Sequence, residues 1–462
     1  MMDTGAAAHA VGGRVVGERV PFARVTTDSR ALEPGDLFVA LKGERFDGHD
    51  FVHAALAQGA AAAMVDEPHA ASVAGNLVVV REPLTALGAL ASHWRQRFAI
   101  PVILIVGSNG KTTVKEMLAA ILRTHFGDEH VLATRGNLNN AIGLPLTLLG
   151  LRAGHRAAVI ELGMNHRGET SELAPIAQPT VALVNNAQRE HQEFMRSVAD
   201  VAAEHAAAIR VLPPGGIAVL NADDAHVGLW RDAVAERPGV SAVEFALDHP
   251  AVVRGRARGG AQTTVELSTT AGDATVRLAI AGRHNAANAL AATTAALAIG
   301  VPLADVVRGL AAFRPAPGRL VALRAPNGAA IIDDTYNANP DSVRAAIDVL
   351  AAAPSPRWLV LGDMGEVGAQ GPAFHREVGA YARTAGIDRL YGAGTQTAQA
   401  VASFGAGASH FESVDVAATH VAAALRDPDG AHATVLVKGS RFMRMERVVA
   451  ALVGDAAGGG LH

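Results

Sequence analysis

A glycine-rich segment between an apolar run and a helix-forming stretch has the residue types that hold phosphate groups. The run Val102 to Val106 is rich in β-branched residues and predicts a buried strand. Glycines after it let the backbone approach a ligand closely, so that amide N–H groups point at phosphate oxygens at a helix N-terminus. The lysine would reach the β- and γ-phosphates, and the next threonine hydroxyl would ligate Mg²⁺. The segment comprises Gly107, Ser108, Asn109, Gly110, Lys111, Thr112 and Thr113.

Two observations set how specific this prediction is. A plain glycine turn between a strand and a helix would look similar, but both flanking elements are visible here, which favours nucleotide binding. The interval from Gly107 to Gly110 is shorter than in the usual G-x-x-x-x-G-K-[ST] loop. Ras-like GTPases and ordinary kinases therefore fit this sequence less well.

Polar residues also follow two later apolar runs, at predicted strand ends. Glu161 directly follows one run, and Asn185 and Asn186 end the other. Ligands of open α/β sheets gather at the carboxyl ends of strands, so these side chains belong near the phosphates. Glu161 is a candidate Mg²⁺ ligand, because hard cations prefer carboxylate oxygens. His191, in the following loop, is either a metal contact or, by default, a solvated surface histidine.

Two further polar groups admit two interpretations each. Asn285 and Asn288 share a face at the start of a predicted helix. Asn285 would either cap that helix or hold a base or phosphate. Near the N-terminus, the triplet Asp28-Ser29-Arg30 is either an ordinary turn or a ligand contact.

Three polar clusters stand at predicted strand ends beyond the proline-rich joint at residues 314–319. They cover Asp333 to Pro340, Gly362 to Glu366 and Lys438 to Arg441. Three such clusters on one small sheet argue for a second substrate held opposite the phosphate loop.

These candidate residues require a scaffold of several domains. A chain of 462 residues is too long for one hydrophobic core. Strands alternate with helices around the phosphate loop, the pattern of a doubly wound, mostly parallel sheet, and residues 252–280 look like a β-rich insertion. We predict an α/β protein of three domains: a small N-terminal α/β domain (1–98), a central phosphate-loop domain (99–314) and a C-terminal Rossmann-like domain (315–462).

Composition narrows the functional classes. A net charge of −4 gives no electrostatic reason to expect nucleic acid or an anionic membrane as partner. The chain has no cysteine, which excludes disulfides, thiolate zinc sites and cysteine nucleophiles. No apolar run reaches the length of a membrane span, and MMDTGAAAHA lacks the basic start of a signal peptide. We expect a cytoplasmic monomer without membrane insertion.

Motifs along the whole chain resemble the Mur ligases of peptidoglycan synthesis. The matching segments are TTDSR, GDLFVALKGERFDGHDF, GSNGKTTVKE, TRGNLNNAIGLPLTLL, ELGMNHRGE, NNAQREHQEF, GRHNAANAL, DDTYNANPDS, VLGDMGEVG and VKGSRFMRME. The phosphate loop and the GRHNAAN segment are also shared by folylpolyglutamate synthase, whereas ELGMNHRGE, DDTYNANP and VLGDMGE resemble the members that add D-Ala-D-Ala. The alternatives are a neighbouring ligase of the group, folylpolyglutamate synthase and a regulatory phosphate-loop switch protein.

The resemblance implies an ATP- and Mg²⁺-dependent ligase that joins D-Ala-D-Ala to UDP-N-acetylmuramoyl-tripeptide through an acyl phosphate, with closing domains that exclude water. The implied catalytic residues are Lys111, Glu161, His191, Arg319 and Asp334. ATP would contact the phosphate loop, Asn285, Asn288 and Arg319, and the metal would contact Thr112, Glu161 and His191. Substrate contacts would be Ser29 and Arg30 for the UDP end, Arg135, Asn137, Asn139 and Asn140 for the sugar-peptide, and Asn337, Asn339 and Pro340 for the dipeptide.

One segment departs from the family pattern. Most members carry a lysine that is carbamylated and ligates a second Mg²⁺, whereas this chain has His205 there, within VAAEHAA. Histidine cannot be carbamylated in that way. We therefore expect a second metal to be held differently, with Glu204 or His205 nearby, or to bind weakly.

Overall fold

Three open sheets with helices packed against them organise the chain. The structure is a computed structural model that describes residues 1–259 and 262–454. Each of the three sheets combines parallel strands with an antiparallel strand or hairpin at one edge. The predicted α/β fold class is confirmed.

A five-stranded sheet comes first. Its spatial order is Arg14–Val16, Leu77–Val80, Ala62–Asp66, Asp36–Val39 and Arg24–Thr26, and the first strand is antiparallel to its neighbour. A two-stranded ribbon, Met2–Asp3 with Pro21–Phe22, lies beside it. The α-helices are Thr4–Val11, Val52–Ala57, Glu67–Ala70 and Pro83–Arg95.

The central sheet has nine strands. Their order is Gly272–Leu278, Thr263–Thr269, Val253–Arg258, Ser241–Ala246, Ile217–Asn221, Val181–Val184, Val102–Val106, Ala157–Glu161 and Val131–Ala133, and Thr263–Thr269 is antiparallel to both of its neighbours. The helices are Lys111–Phe126, Gly143–Leu149, Glu169–Ala177, Val198–Arg210, Val227–Ala235, Arg283–Ala298 and Leu303–Ala312. The segment predicted as a β-rich insertion instead extends this sheet at one end.

A six-stranded sheet follows. Its order is Val321–Arg324, Ala330–Asp334, Thr434–Lys438, Arg357–Gly362, Arg389–Ala393 and Ala408–Phe411, and only the first strand is antiparallel to its neighbour. The helices are Pro340–Ala351, Gly371–Thr384, Thr397–Phe404, Val414–Leu425 and Glu446–Val453. Short 3₁₀ turns occupy Ser29–Ala31, Gly48–Phe51, Asp128–His130, Gly368–Gln370, Pro428–His432 and Arg441–Met443.

The strand Val102–Val106 shows why the central sheet lies in the middle. All five residues are buried, as expected for a parallel strand covered on both faces. Ile103 and Ile105 join an apolar cluster that continues into the six-stranded sheet, whereas Val102 and Leu104 join one that continues into the five-stranded sheet. Successive side chains of a strand point to opposite faces, so this one strand contributes to both cores.

No helix within the described residues is both long and apolar enough to cross a bilayer.

Candidate active site

A cleft of about 860 Å³ lies between the central and the six-stranded sheets. Its walls include the phosphate-loop segment, the carboxyl ends of central strands and the first turn of the helix Arg283–Ala298. The opposite wall comes from the six-stranded sheet, through residues such as Arg319, Asp334 and Lys438. Polar groups from both sheets therefore face the same space.

Glycine geometry shapes the phosphate-loop segment. Gly107 has φ 142° and Gly110 has φ 82°, values that favour glycine. A Cβ on Gly110 would collide with the side chain of Asn288. The helix Lys111–Phe126 begins directly after Gly110, and its first three residues line the cleft. The free N–H groups of this first turn are therefore at the cleft, as an anion site requires.

Lys111 folds back over the loop. Its Nζ donates hydrogen bonds to the carbonyl oxygens of Gly107 and Ser108, the latter at 3.2 Å, and lies 3.4 Å from Glu190 Oε2. The ammonium group is thus held against the phosphate loop by two loop carbonyls and by the Glu190 carboxylate.

Thr112 and Glu161 form an oxygen-rich pair that suits Mg²⁺. The Thr112 hydroxyl donates to Glu161 Oε1 at 3.2 Å, and Asn139 Nδ2 donates to the same oxygen at 2.8 Å. Glu161 is buried, and among the described residues its Oε2 accepts no hydrogen bond. Lys115 Nζ lies 4.0 Å from this oxygen, beyond hydrogen-bonding distance, and a hard cation beside the Thr112 hydroxyl would give it a direct partner.

His191 does not behave as a solvated surface residue. Its side chain is only 15% exposed, its Nδ1 lies 2.7 Å from Glu366 Oε2, and its Nε2 lies 3.9 Å from Glu190 Oε2. Its backbone has a φ of 48°, which is uncommon outside glycine. The default interpretation, a solvated surface histidine, is therefore wrong. The charged groups that His191 approaches are Glu366 and Glu190, and its role as a metal contact stays a prediction.

A chain of asparagine side chains ties the loop to the helix Arg283–Ala298. Asn185 Nδ2 donates to the Asn109 carbonyl at 2.8 Å and to Asn288 Oδ1 at 2.9 Å, and Asn288 Nδ2 donates to Asn285 Oδ1 at 3.0 Å. Asn285 does not cap this helix: the cap is Gly282, and the Asn285 amide donates to the carbonyl of residue 281. The capping interpretation is therefore wrong.

The strand-end clusters of the six-stranded sheet lie side by side, because their strands are neighbours in the sheet. Lys438 Nζ lies 2.6 Å from Asp334 Oδ2 and donates to the Asn337 carbonyl at 2.8 Å. Arg319 stacks over the ring of Tyr336 at 4.1 Å and donates to the Thr112 hydroxyl at 3.1 Å. This arginine therefore already reaches the phosphate-loop helix from the opposite wall.

Asn339 caps a helix and Asn140 lies just before another, and both line the cleft. Asn339 forms a reciprocal capping box with Ser342, and its Nδ2 donates to Asn109 Oδ1 at 2.9 Å. Asn140 Oδ1 accepts from the backbone N–H of residue 143 at 2.9 Å. Pro340 is buried in the first helical turn and is not part of the cleft wall, whereas Asn137 is.

Three predicted substrate contacts besides Pro340 lie outside this cleft. Arg135 lines a smaller cavity of about 480 Å³. Ser29 and Arg30 form a 3₁₀ turn that follows an edge strand of the five-stranded sheet. Arg30 is paired with Asp28 at 2.8 Å, and its hydrogen bond holds the pKa of the Asp28 carboxyl at about 2. Neither group contributes to the phosphate-loop cleft.

Arg189 connects the two walls and was not identified from the sequence. Its guanidinium forms two-point contacts with Asp341, at 2.6 Å, and with Glu377, at 2.7 Å. Both carboxylates belong to helices of the six-stranded sheet, and hydrogen bonds to them raise the pKa of Arg189 above its usual value. Nothing in the segment REH indicates a partner more than a hundred residues away.

Glu190 was also missed. It is 5% exposed and lies near Lys111, His191 and His205, whose Nε2 is 3.4 Å from Glu190 Oε1. Burial tends to raise its pKa, but Lys111 and His205 outweigh that effect and lower it to about 2. Glu190 is therefore an anion in this site.

Glu204, suggested above as a neighbour of a second metal, uses both of its carboxylate oxygens in hydrogen bonds to backbone N–H groups. It accepts hydrogen bonds from the backbone N–H groups of residues 168 and 170, at 3.0 and 2.8 Å, and so completes the start of the helix Glu169–Ala177. Of the two suggested neighbours of a second metal, only His205 faces Glu190.

Family models match three consecutive stretches of the chain. The model "Mur ligase family, catalytic domain" matches residues 21–96, "Mur ligase middle domain" matches 105–296, and "Mur ligase, glutamate ligase domain" matches 318–441.

Curated relatives and solved structures cover almost the whole chain. It is 40% identical to the UDP-N-acetylmuramoyl-tripeptide--D-alanyl-D-alanine ligase of Escherichia coli (strain K12), over 95% of this chain and 96% of that protein. It is 34% identical to crystal structure I of MurF from Acinetobacter baumannii, with 98% of each chain covered and a TM-score of 0.90. For the MurF ligase of Thermotoga maritima in complex with ADP, identity is 27%, coverage is 93% and 96%, and the TM-score is 0.80.

Proposed function

The chain belongs to the Mur ligase family, and we propose that it is the ATP-dependent ligase that joins D-Ala-D-Ala to UDP-N-acetylmuramoyl-tripeptide. The product is UDP-N-acetylmuramoyl-pentapeptide, a precursor for peptidoglycan synthesis. Relatives from distant bacteria carry this ligase name, among them those of Haemophilus influenzae and Bacillus subtilis.

One observation about the site supports the proposal most directly. The phosphate-loop segment and three polar strand ends of a second sheet share one cleft. A nucleotide-dependent switch protein needs only the first of these, whereas a ligase must hold a phosphoryl donor and two further reactants together.

The reaction consists of two transfers. The terminal carboxylate of the tripeptide attacks the γ-phosphorus of ATP, which forms an acyl phosphate and releases ADP. The amine of D-Ala-D-Ala then attacks the acyl carbon, which forms the amide and releases phosphate. Neither transfer needs a protein nucleophile, in agreement with a chain that has no cysteine.

The chain contributes positive charge and position to these transfers. Lys111 and Arg319 would meet the phosphates from opposite walls of the cleft, where fixed charges are more effective than in water. Thr112 and Glu161, with His191 as a further candidate, would hold Mg²⁺, which would neutralise phosphate charge when bound. Asn285 and Asn288 would serve the adenine side.

The remaining assignments concern the domain boundaries and the substrate contacts. We place domain boundaries near residues 98 and 314; the gaps between the family matches, at 97–104 and 297–317, support this placement. Ser29 and Arg30 would bind the UDP end, the Arg135 to Asn140 loop the sugar-peptide, and the Asn337 to Pro340 segment the dipeptide. A cytoplasmic location and a monomeric state stay predictions.

Phosphate release from ATP tests the proposal. The purified protein is given ATP, Mg²⁺, UDP-N-acetylmuramoyl-tripeptide and D-Ala-D-Ala, and each component is omitted in turn. We expect release only when all are present, together with a pentapeptide product by mass. Release with a single amino acid but not with the dipeptide would assign the chain to a neighbouring ligase, and no release with any pairing would refute the ligase activity.

A further inference from the structure

A buried carboxylate beside the phosphate loop has no role in the mechanism above. Glu190 Oε2 is 3.4 Å from Lys111 Nζ, while Oε1 accepts no hydrogen bond from any described residue. Burying a carboxylate is costly unless its charge is compensated, so an unpartnered oxygen of this kind in a ligand cleft points to a missing positive group.

Lys111 is the main counter-charge of Glu190 in the protein without ligands. If Lys111 turns to the phosphates of ATP, Glu190 stays behind as an anion close to other anions. Two negative groups a few ångströms apart repel each other, and more strongly as water is displaced from between them. A divalent cation between the carboxylate and the phosphate would remove that repulsion, and carboxylate and phosphate oxygens are the ligands that Mg²⁺ prefers.

His205 packs against Glu190. It is 1% exposed, and within the described part of the chain neither ring nitrogen has a hydrogen-bond partner. Its Nε2 lies 3.4 Å from Glu190 Oε1, an approach that limits where the carboxylate can move. The carbamate implied by the family resemblance cannot form on this histidine, yet a carboxylate from the neighbouring loop lies within reach of it.

We propose that Glu190 is a ligand of a second divalent cation, bound between its carboxylate and the terminal phosphate of the nucleotide, and that His205 is the positioning residue for Glu190. The inference rests on the proposed function, because it requires a nucleotide in the cleft. Thr112 and Glu161 are hydrogen-bonded to each other, whereas Glu190 pairs with Lys111, so we assign the two cations to different carboxylates.

Binding of Mn²⁺ provides a readout that does not depend on turnover. Free Mn²⁺ is measured by electron paramagnetic resonance during titration of the protein saturated with a non-hydrolysable ATP analogue. We expect two bound ions per wild-type chain, and in Glu190→Gln a second ion weakened about tenfold or more. Glu193→Gln makes the same charge change at an exposed position of the same loop and should bind two ions like the wild type.

Variants at position 205 test the positioning role. His205→Ala should weaken the second ion, and His205→Gln, which keeps a hydrogen-bond donor, should restore part of its affinity. Glu190→Asp replaces Glu190→Gln in this test if the latter does not fold. It keeps the negative charge but shortens the side chain, so it should also weaken binding of the second ion.

The outcomes separate the two proposals. Wild-type protein that binds the analogue with one ion only, or Glu190→Gln or Glu190→Asp with unchanged affinity for the second ion, would overturn the inference and leave the ligase intact. Wild-type protein that does not bind the analogue at all would instead overturn the proposed function.

Discussion

Replacement of Arg189 by alanine should open the cleft. Arg189 belongs to a loop of the central sheet, and its guanidinium is the ionic link to Asp341 and Glu377 on the facing helices. Its guanidinium group also lies over the ring of Phe374, with Cζ 5.3 Å from the ring centre. Without it, the two carboxylates would remain close together with less positive charge between them.

The size of the effect follows from burial. The three side chains are 22%, 24% and 32% exposed, so their pairing lies between an exposed ion pair, worth about 0.2–1 kcal/mol, and a buried charged hydrogen bond, worth about 1.5–3 kcal/mol. Taking about 1 kcal/mol for each carboxylate gives about 2 kcal/mol, or roughly a 30-fold shift toward the open form. From a tenfold excess of the closed form, about one quarter of the molecules would then stay closed.

Two measurements on the protein without substrates would detect this shift. Small-angle X-ray scattering should give a larger radius of gyration for Arg189→Ala, and a non-hydrolysable ATP analogue should bind about fourfold more weakly, in proportion to the closed fraction. Arg189→Lys should resemble Arg189→Ala, because an ammonium group cannot reproduce the two-point contacts.

Arg344→Ala is the matched control. Arg344 also pairs with Glu377, at 3.0 Å, but both residues belong to the six-stranded sheet's helices, so this change should leave the radius of gyration unaltered. Identical scattering and analogue affinity for Arg189→Ala and wild type would refute the link between this cluster and closure.

Three further predictions concern single groups. Arg319→Lys should lower kcat/KM for ATP about 10- to 100-fold, because lysine loses the planar stacking on Tyr336 and the directed hydrogen bond toward the phosphate-loop helix. Arg30→Ala should return the pKa of Asp28 from about 2 toward its ordinary value, as measured by NMR titration. A carboxyl group whose pKa is lower in the folded than in the unfolded protein stabilises the fold above the unfolded-state pKa, and this stabilisation is lost as the pH falls toward the folded-state pKa. The difference in melting temperature between wild type and variant should therefore shrink between about pH 5 and pH 2.5. Asn288→Ala should cost about 1–3 kcal/mol in thermal unfolding of the apo protein, because it leaves two buried amide partners unsatisfied.

Features that depend on neighbouring residues were predictable from the sequence. The phosphate-loop segment is a strand, a glycine turn and a helix in succession, and these local signals are strong. Glu161 could be placed at the cleft because the carboxyl ends of parallel strands meet at one edge. The three strand-end clusters of the last sheet followed the same rule, and their strands are indeed neighbours.

Features that depend on long-range pairing were not predictable. Asn109 and Asn339 exchange hydrogen bonds across 230 residues, and neither amide reveals its partner in the sequence. Glu190 lies in a polar loop segment whose residue types predict solvent exposure, and its approach to Lys111 and His205 is not visible in the sequence. Asn285 has the residue type of a cap, but a glycine three residues earlier already starts that helix.

The outermost strands of the sheets have a consequence for the protein's behaviour at high concentration. Within residues 1–259 and 262–454, the three open sheets have six edges, and five of these are strands of only three or four residues, at Arg14–Val16, Arg24–Thr26, Val131–Ala133, Val321–Arg324 and Ala408–Phe411. The sixth, Gly272–Leu278, is longer, but it exposes Asp273 and Arg277. Short or charged edges are poor templates for strand pairing between molecules. A chain with half its residues hydrophobic should therefore resist edge-to-edge aggregation through the geometry of its sheet margins.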